Sequence, residues 1–158
     1  MKITYALEPV PKSIFLAGPT PRTPEVPSWR PAAIEMLRNE LNFDGTVLVP
    51  EAADGKPHDD YDRQISWEWE ALNQATIVVF WVPRELIAMP AFTTNVEFGF
   101  LVASGKLVLG APTSASKMTY LHALAARYNV PVFNSLFDTL IEAVDRTKSP
   151  YGRFNNES

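Results

Sequence analysis

Cysteine is absent from the 158 residues. That absence excludes disulfides, thiolate zinc sites, Fe–S clusters and cysteine nucleophiles together. Also missing is any apolar run near the ~20 residues that a membrane-spanning helix needs, and Met1–Glu8 lacks the apolar stretch of a signal peptide. The expected location is the cytoplasm, with no membrane partner. Neither sign of charge is in great excess: 14 basic against 18 acidic residues leave a net charge of −4. Such a balance argues against a surface built to wrap a nucleic-acid polymer. The two histidines, His58 and His122, are far apart and have no i, i+4 partner, so no metal site is expected. The acidic residues Asp54, Asp59, Asp60 and Asp62 lack calcium-loop spacing. Neither a G-x-G-x-x-G fingerprint nor a G-x-S-x-G elbow occurs, and Gly99–Lys106 ends a helix where a phosphate loop would open one. No cofactor is expected.

What is present is an ordinary globular composition, 46% hydrophobic and 20% charged, in a length suited to one domain. The expectation is a single domain over residues 1–150, followed by a tail, 151–158, that is loosely held unless a partner subunit binds it. Short apolar runs alternate with longer amphipathic ones. The runs are Ser13–Ala17, Thr46–Val49, Ile77–Val82, Lys106–Leu109 and Val130–Phe133, several of them closed by proline or glycine. Their unbroken apolarity reads as strands buried on both faces. Helical patterns fall between them: Ser28 as N-cap of a helix through Leu41, then Tyr61–Gln74, a helix from Thr94 to a C′ glycine at Gly105, Lys117–Tyr128 and Leu136–Arg146. Strand and helix alternating in this way predict an α/β fold, a flavodoxin-like three-layer sandwich with a five-stranded parallel sheet and helices on both faces. In such a sheet the ligand sits at the carboxyl ends of the strands, near the switch in strand order.

Two segments carry chemistry. In Thr93–Phe100, Thr94 reads as an N-cap and Glu97 as the N3 residue of a capping box. The same placement offers a nucleophile: a carboxylate in a first turn is held ionised by the helix dipole. Gly99, lacking a side chain, would leave room there for a sugar. In Gln64–Leu72, Trp69 shares a face with Ile65 and Leu72 and is expected in the core. Trp67 then falls beside Gln64, able to offer a flat face to a planar ligand or to pack against a neighbour.

Taken in order, Ile14–Pro19, Val49-Pro50-Glu51, Gln64-x-x-Trp67-Glu68, Val78–Pro83 and Asn95-x-Glu97-x-Gly99 with Ser104-Gly105-Lys106 resemble the nucleoside 2-deoxyribosyltransferase family and its relatives. Those relatives include deoxynucleotide N-glycosidases. The resemblance implies that Glu97 attacks C1′ of a deoxyribose, that the base leaves, and that a second base or water releases the sugar from the enzyme. It implies that Trp67 stacks on the base and that the loop Gly18–Arg22, with Thr20, shapes the sugar or phosphate end. It further implies a homo-oligomer, dimer or hexamer, whose neighbours complete each site.

The sequence departs from that pattern at two places. Phe15 stands where some members carry a tyrosine that orients the nucleophile, and Ala75 or Thr76 where some carry an aspartate that protonates the base. The second carboxylate is left to Glu51, Asp62 or Glu68, with Asn95 a further hydrogen-bonding candidate. Three readings follow. The first is a transferase that passes deoxyribose between bases. The second is a hydrolase of deoxynucleoside monophosphates, whose phosphate donors would come from Arg22, Thr113, Ser114 and Ser116. The third is a nucleotide-binding module without catalysis.

Overall fold

The computed structural model describes residues 1–4, 12–51 and 61–148. Residues 5–11, 52–60 and 149–158, which include His58, Asp54, Asp59, Asp60 and the expected tail, lie outside the described residues.

Six strands form one all-parallel sheet: β1 Lys2–Thr4, β2 Ser13–Ala17, β3 Thr46–Leu48, β4 Ile77–Trp81, β5 Leu107–Gly110 and β6 Val132–Phe133. The spatial order is β1-β3-β2-β4-β5-β6. The five expected strands are all present, in flavodoxin-like order. The addition is β1, three residues long, which extends the edge by pairing Lys2 with Thr46. It carries too few residues to give a periodic signal of its own.

β2, β4 and β5 are buried at every position because both faces are covered. Alternate side chains enter opposite layers. Phe15, Ala17, Val78 and Phe80 point to one face, where they meet Trp67, Ala71 and Leu72 of helix α2 (Tyr61–Gln74), Phe98 and Leu101 of α3 (Phe92–Leu101) and Leu121 and Ala125 of α4 (Thr119–Arg127). Ile14, Leu16, Val79 and Trp81 point to the other, against Ala33 of α1 (Arg30–Glu35) and Leu140, Ala143 and Val144 of α5 (Leu136–Lys148). α1 continues as a π-helical turn over Met36–Glu40.

Local boundaries differ from the expected ones in one place that matters. α3 begins at Phe92, after Ala91 at φ 61°, and Thr94 is buried inside its first turn instead of capping it. The capping box therefore does not form, and Glu97 lies a turn deeper in the helix than the dipole argument supposed. The other end holds as expected. After a 3-10 turn, Val102–Ser104, the helix stops at Gly105 with φ 74°, a left-handed conformation that suits glycine. Lys106 then donates its Nζ to the carbonyls of Leu72 and Asn73, at 2.6 and 2.9 Å, closing the carboxyl end of α2.

Candidate active site

From β2 the chain passes to β3 on one side and then to β4 on the other. The order therefore reverses at the carboxyl ends of β2 and β4, where a crevice must open. A cleft of about 650 Å³ lies there, lined by Ala17–Thr20 after β2, Pro50 after β3, Pro90 and Ala91 ahead of α3, and facing residues of α2 and α3.

Its wall after β2 is held by one buried cation. Arg30 is 1% exposed and follows Ser28, whose Oγ accepts the Arg30 amide at 3.2 Å. The guanidinium donates to Leu16 O at 3.0 Å, Gly18 O at 2.7 Å and Thr20 Oγ1 at 3.0 Å. It also pairs with Glu51, whose two carboxylate oxygens each lie 3.0 Å from Ser28 Oγ. Burial lowers the Arg30 pKa and the Glu51 carboxylate opposes that shift. The turn at Gly18 cannot accept a side chain, since a Cβ there would stand 2.1 Å from Trp81 O and φ is 143°. Trp29 Nε1 fixes the next residue by donating to Pro19 O at 3.1 Å.

Two carboxyl groups face the cleft. Glu97 of α3 is raised from its ordinary 4.5 to about 7, chiefly by burial and then by the negative charge of Glu68, with Arg30 pulling the other way. Glu68 of α2 is also raised, by burial, against the lowering effects of a Gln64 hydrogen bond and Arg30. Gln64 Nε2 donates to Glu68 Oε1 at 2.9 Å. Glu97 has no hydrogen-bond partner among the described residues, so both its oxygens are available to a ligand. Two half-buried carboxyls in one site repel when both are ionised, and they titrate as a pair. Such a pair can supply one nucleophile or base and one acid.

The cleft gathers Gly18, Thr20, Arg22 and Glu97 from the expected residues. Glu51 is present through Arg30, which it holds. Asp62 is exposed at the start of α2 and does not line the cleft. Trp67 and Trp69 exchange their expected places. Trp67 is 7% exposed and packs on Phe15 with ring centroids 6.3 Å apart, whereas Trp69 is 65% exposed and lines the cleft. The inward arc of α2 runs through Trp67, Ala71 and Leu72, and this turns Trp69 outward. Asn95 and Gly99 lie on the opposite side of α3 from Glu97, in a second cavity. A Cβ on Gly99 would meet nothing within 4 Å, so that glycine opens no space beside Glu97. Thr113, Ser114 and Ser116 line neither cavity.

The departures at Phe15, Ala75 and Thr76 have physical counterparts. Phe15 forms part of the cleft floor without a hydroxyl. Thr76 precedes β4, at the amino end of the sheet, where its Oγ1 accepts the Ser13 amide at 3.1 Å. An acid at that position would be on the wrong side of the sheet for the cleft, which leaves Glu68 as the carboxylate that acts on Glu97. Arg30 and Trp69 escaped the sequence reading. An arginine in a first helical turn opposes the dipole and is a usable warning of a specific partner. The Ile65, Trp69, Leu72 face was expected in the core, but only Leu72 of it is buried there, while Ile65 and Trp69 line the cleft.

The doubly wound sheet and its carboxylate-lined cleft at the switch in strand order define an α/β protein with a cleft of small-molecule size. The sequence profile of the nucleoside 2-deoxyribosyltransferase like family matches residues 11–115, about two thirds of the chain, which belongs to that family. A comparison with curated proteins finds no match. Among the described residues no helix is long and apolar enough to cross a membrane.

Proposed function

We propose that the protein cleaves the N-glycosidic bond of a 2′-deoxynucleoside through a covalent deoxyribosyl–Glu97 intermediate and passes the sugar to another base. The observation that carries this reading is Glu97 itself: half-buried, without a hydrogen-bond partner among the described residues, and facing a cleft at the carboxyl ends of the strands. An ionised Glu97 oxygen attacks C1′ as the base departs with the bonding electron pair. The leaving base takes up its proton from solvent at the open cleft, and the Glu68 carboxylate, whose negative charge raises Glu97, sets the pH at which the nucleophile ionises. An incoming base then attacks C1′ and frees Glu97, the retaining two-step logic of glycoside cleavage. Trp69 offers its exposed face to the base.

Glu97→Gln should lower base release at least about a thousandfold, read by chromatography of a deoxyadenosine digest with a pyrimidine acceptor present. Unchanged release would end the reading. Binding without turnover in the unsubstituted protein would favour a non-catalytic module.

One observation favours a second reading, hydrolysis of a deoxynucleoside 5′-monophosphate. Arg22 lies at the cleft with its guanidinium 5.8 Å from the Phe92 ring centroid and no carboxylate partner among the described residues. A free cation there suits a phosphate. Release of base from the monophosphate without an acceptor, and loss of that preference in Arg22→Gln, would select this reading over transfer.

Self-association is part of the proposal. Phe92, Val96 and Phe100 repeat at i, i+4 and i+8 on α3 and are 69%, 72% and 79% exposed. A second copy of the chain is the proposed cover for this stripe. Phe92 and Val96 also line the cleft, so that copy would help to wall it.

A further inference from the structure

We propose that the cavity between α3 and α4 is a second binding site, for a small organic anion: a carboxylate or phosphate carried on a planar apolar body. It shares no lining residue with the Glu97 cleft and stands independently of the function proposed above.

The centre of the site is Arg84, which leaves β4 behind Pro83 and is 6% exposed. Its Nη1 donates to Lys117 O at 2.8 Å and its Nη2 to Asn95 Oδ1. Its Nε is buried without any acceptor. No described carboxylate pairs with it. Arg30, the more deeply buried of the two, shows what a satisfied guanidinium has in this fold: two backbone carbonyls, a hydroxyl and the carboxylate of Glu51. A buried cation lacking a counter-ion is costly, and a ligand oxyanion in the cavity supplies one. A guanidinium suits the paired oxygens of a carboxylate or phosphate.

The rest of the cavity agrees in charge and shape. Its volume is about 370 Å³, at the lower end for small-molecule sites. The lining contributes Lys117 as a second cation and no carboxylate. Leu121, Leu124 and Tyr128 supply an apolar wall. Gly99 leaves the α3 side open, since nothing stands within 4 Å of the Cβ it lacks. Charge at one end and a flat apolar wall at the other describe an aromatic acid or an aryl phosphate ester.

The test is calorimetric titration of the full chain with phenyl phosphate, benzoate and neutral benzyl alcohol, with NMR shifts of Tyr120 and Tyr128 to locate binding. At least one of the two anions should bind at least tenfold more tightly than the alcohol and shift both tyrosines. The tighter anion assigns the head group. Gly99→Leu fills the cavity from a position with free space, so it should fold with an unchanged melting temperature and weaken that anion at least tenfold. Lys117→Glu, on the exposed rim, should weaken it as well. Arg84→Gln is informative only where its melting curve stays cooperative, and the other two variants decide without it. Absence of binding by both anions, equal binding of the alcohol, undiminished affinity in Gly99→Leu, or shifts confined to residues of the Glu97 cleft would each overturn the proposal.

Discussion

Glu97 is the sixth residue of α3, too deep for the helix dipole to hold it ionised, and its surroundings favour the proton. This links the site to stability. The unfolded chain releases the Glu97 proton near 4.5, whereas the folded protein keeps it to about 7. Between those values the folded state binds more protons, so the stability contributed is complete below the lower value and is lost as pH rises through the higher one. Urea or thermal denaturation from pH 5 to 8 should show that decline. Glu97→Gln should flatten it and gain up to about 3 kcal/mol at the alkaline end. Catalysis should respond in the opposite sense: a nucleophilic Glu97 gives rates that climb through pH ~7, and Glu68→Gln, by deleting the like charge, should move that climb to lower pH. A rate falling across the same interval would instead make Glu97 the acid.

At the scale of the element, α2 decides which tryptophan faces the cleft. Its sequence offers two apolar stripes, Ile65–Trp69–Leu72 and Trp67–Ala71, and helical periodicity accommodates both. Packing against Phe15 and the sheet selects the second. Trp67→Ala should therefore cost about 3–5 kcal/mol of folding stability, as large buried aromatics do. Trp69→Ala should leave stability within ~0.5 kcal/mol and weaken deoxynucleoside binding by ~1–3 kcal/mol. Denaturation curves and binding isotherms on the two variants separate these roles. The reverse pattern would return the base to Trp67.

Across the whole molecule, the reversal of strand order opens the cleft, and the exposed α3 stripe is the proposed meeting face of two copies. Sedimentation of the wild-type chain should show an oligomer, and Phe100→Glu, placing a charge at an exposed position, should shift it toward monomer without loss of secondary structure. A wild-type chain that stays monomeric across micromolar concentrations would remove self-association from the proposal.

The strands beginning at Ser13, Thr46, Ile77 and Leu107 were legible because parallel strands covered on both faces must be apolar without interruption; the edge strand Val132–Phe133 lies within the expected Val130–Phe133 run but is not buried, Val132 being 41% exposed. The carboxyl ends where Gly18 and Pro50 stand followed from the same reading, whereas Glu97 was singled out by an expected first-turn position, which the structure does not keep, and by the family resemblance. What the sequence by itself determined was thus composition-limited chemistry, the doubly wound topology and the edge on which the cleft opens. Tertiary structure alone decided that Trp69 and not Trp67 faces the cleft, that Asn95 and Gly99 open into a different cavity with Arg84, and that Arg30 braces the loop opposite Glu97. The reason is physical. Periodicity reports which residues share a face, but the rotation of a helix about its axis is set by close packing against side chains remote in the chain. The protonation of Glu97 likewise depends on burial and on Glu68, a neighbour 29 positions away that only the fold brings near.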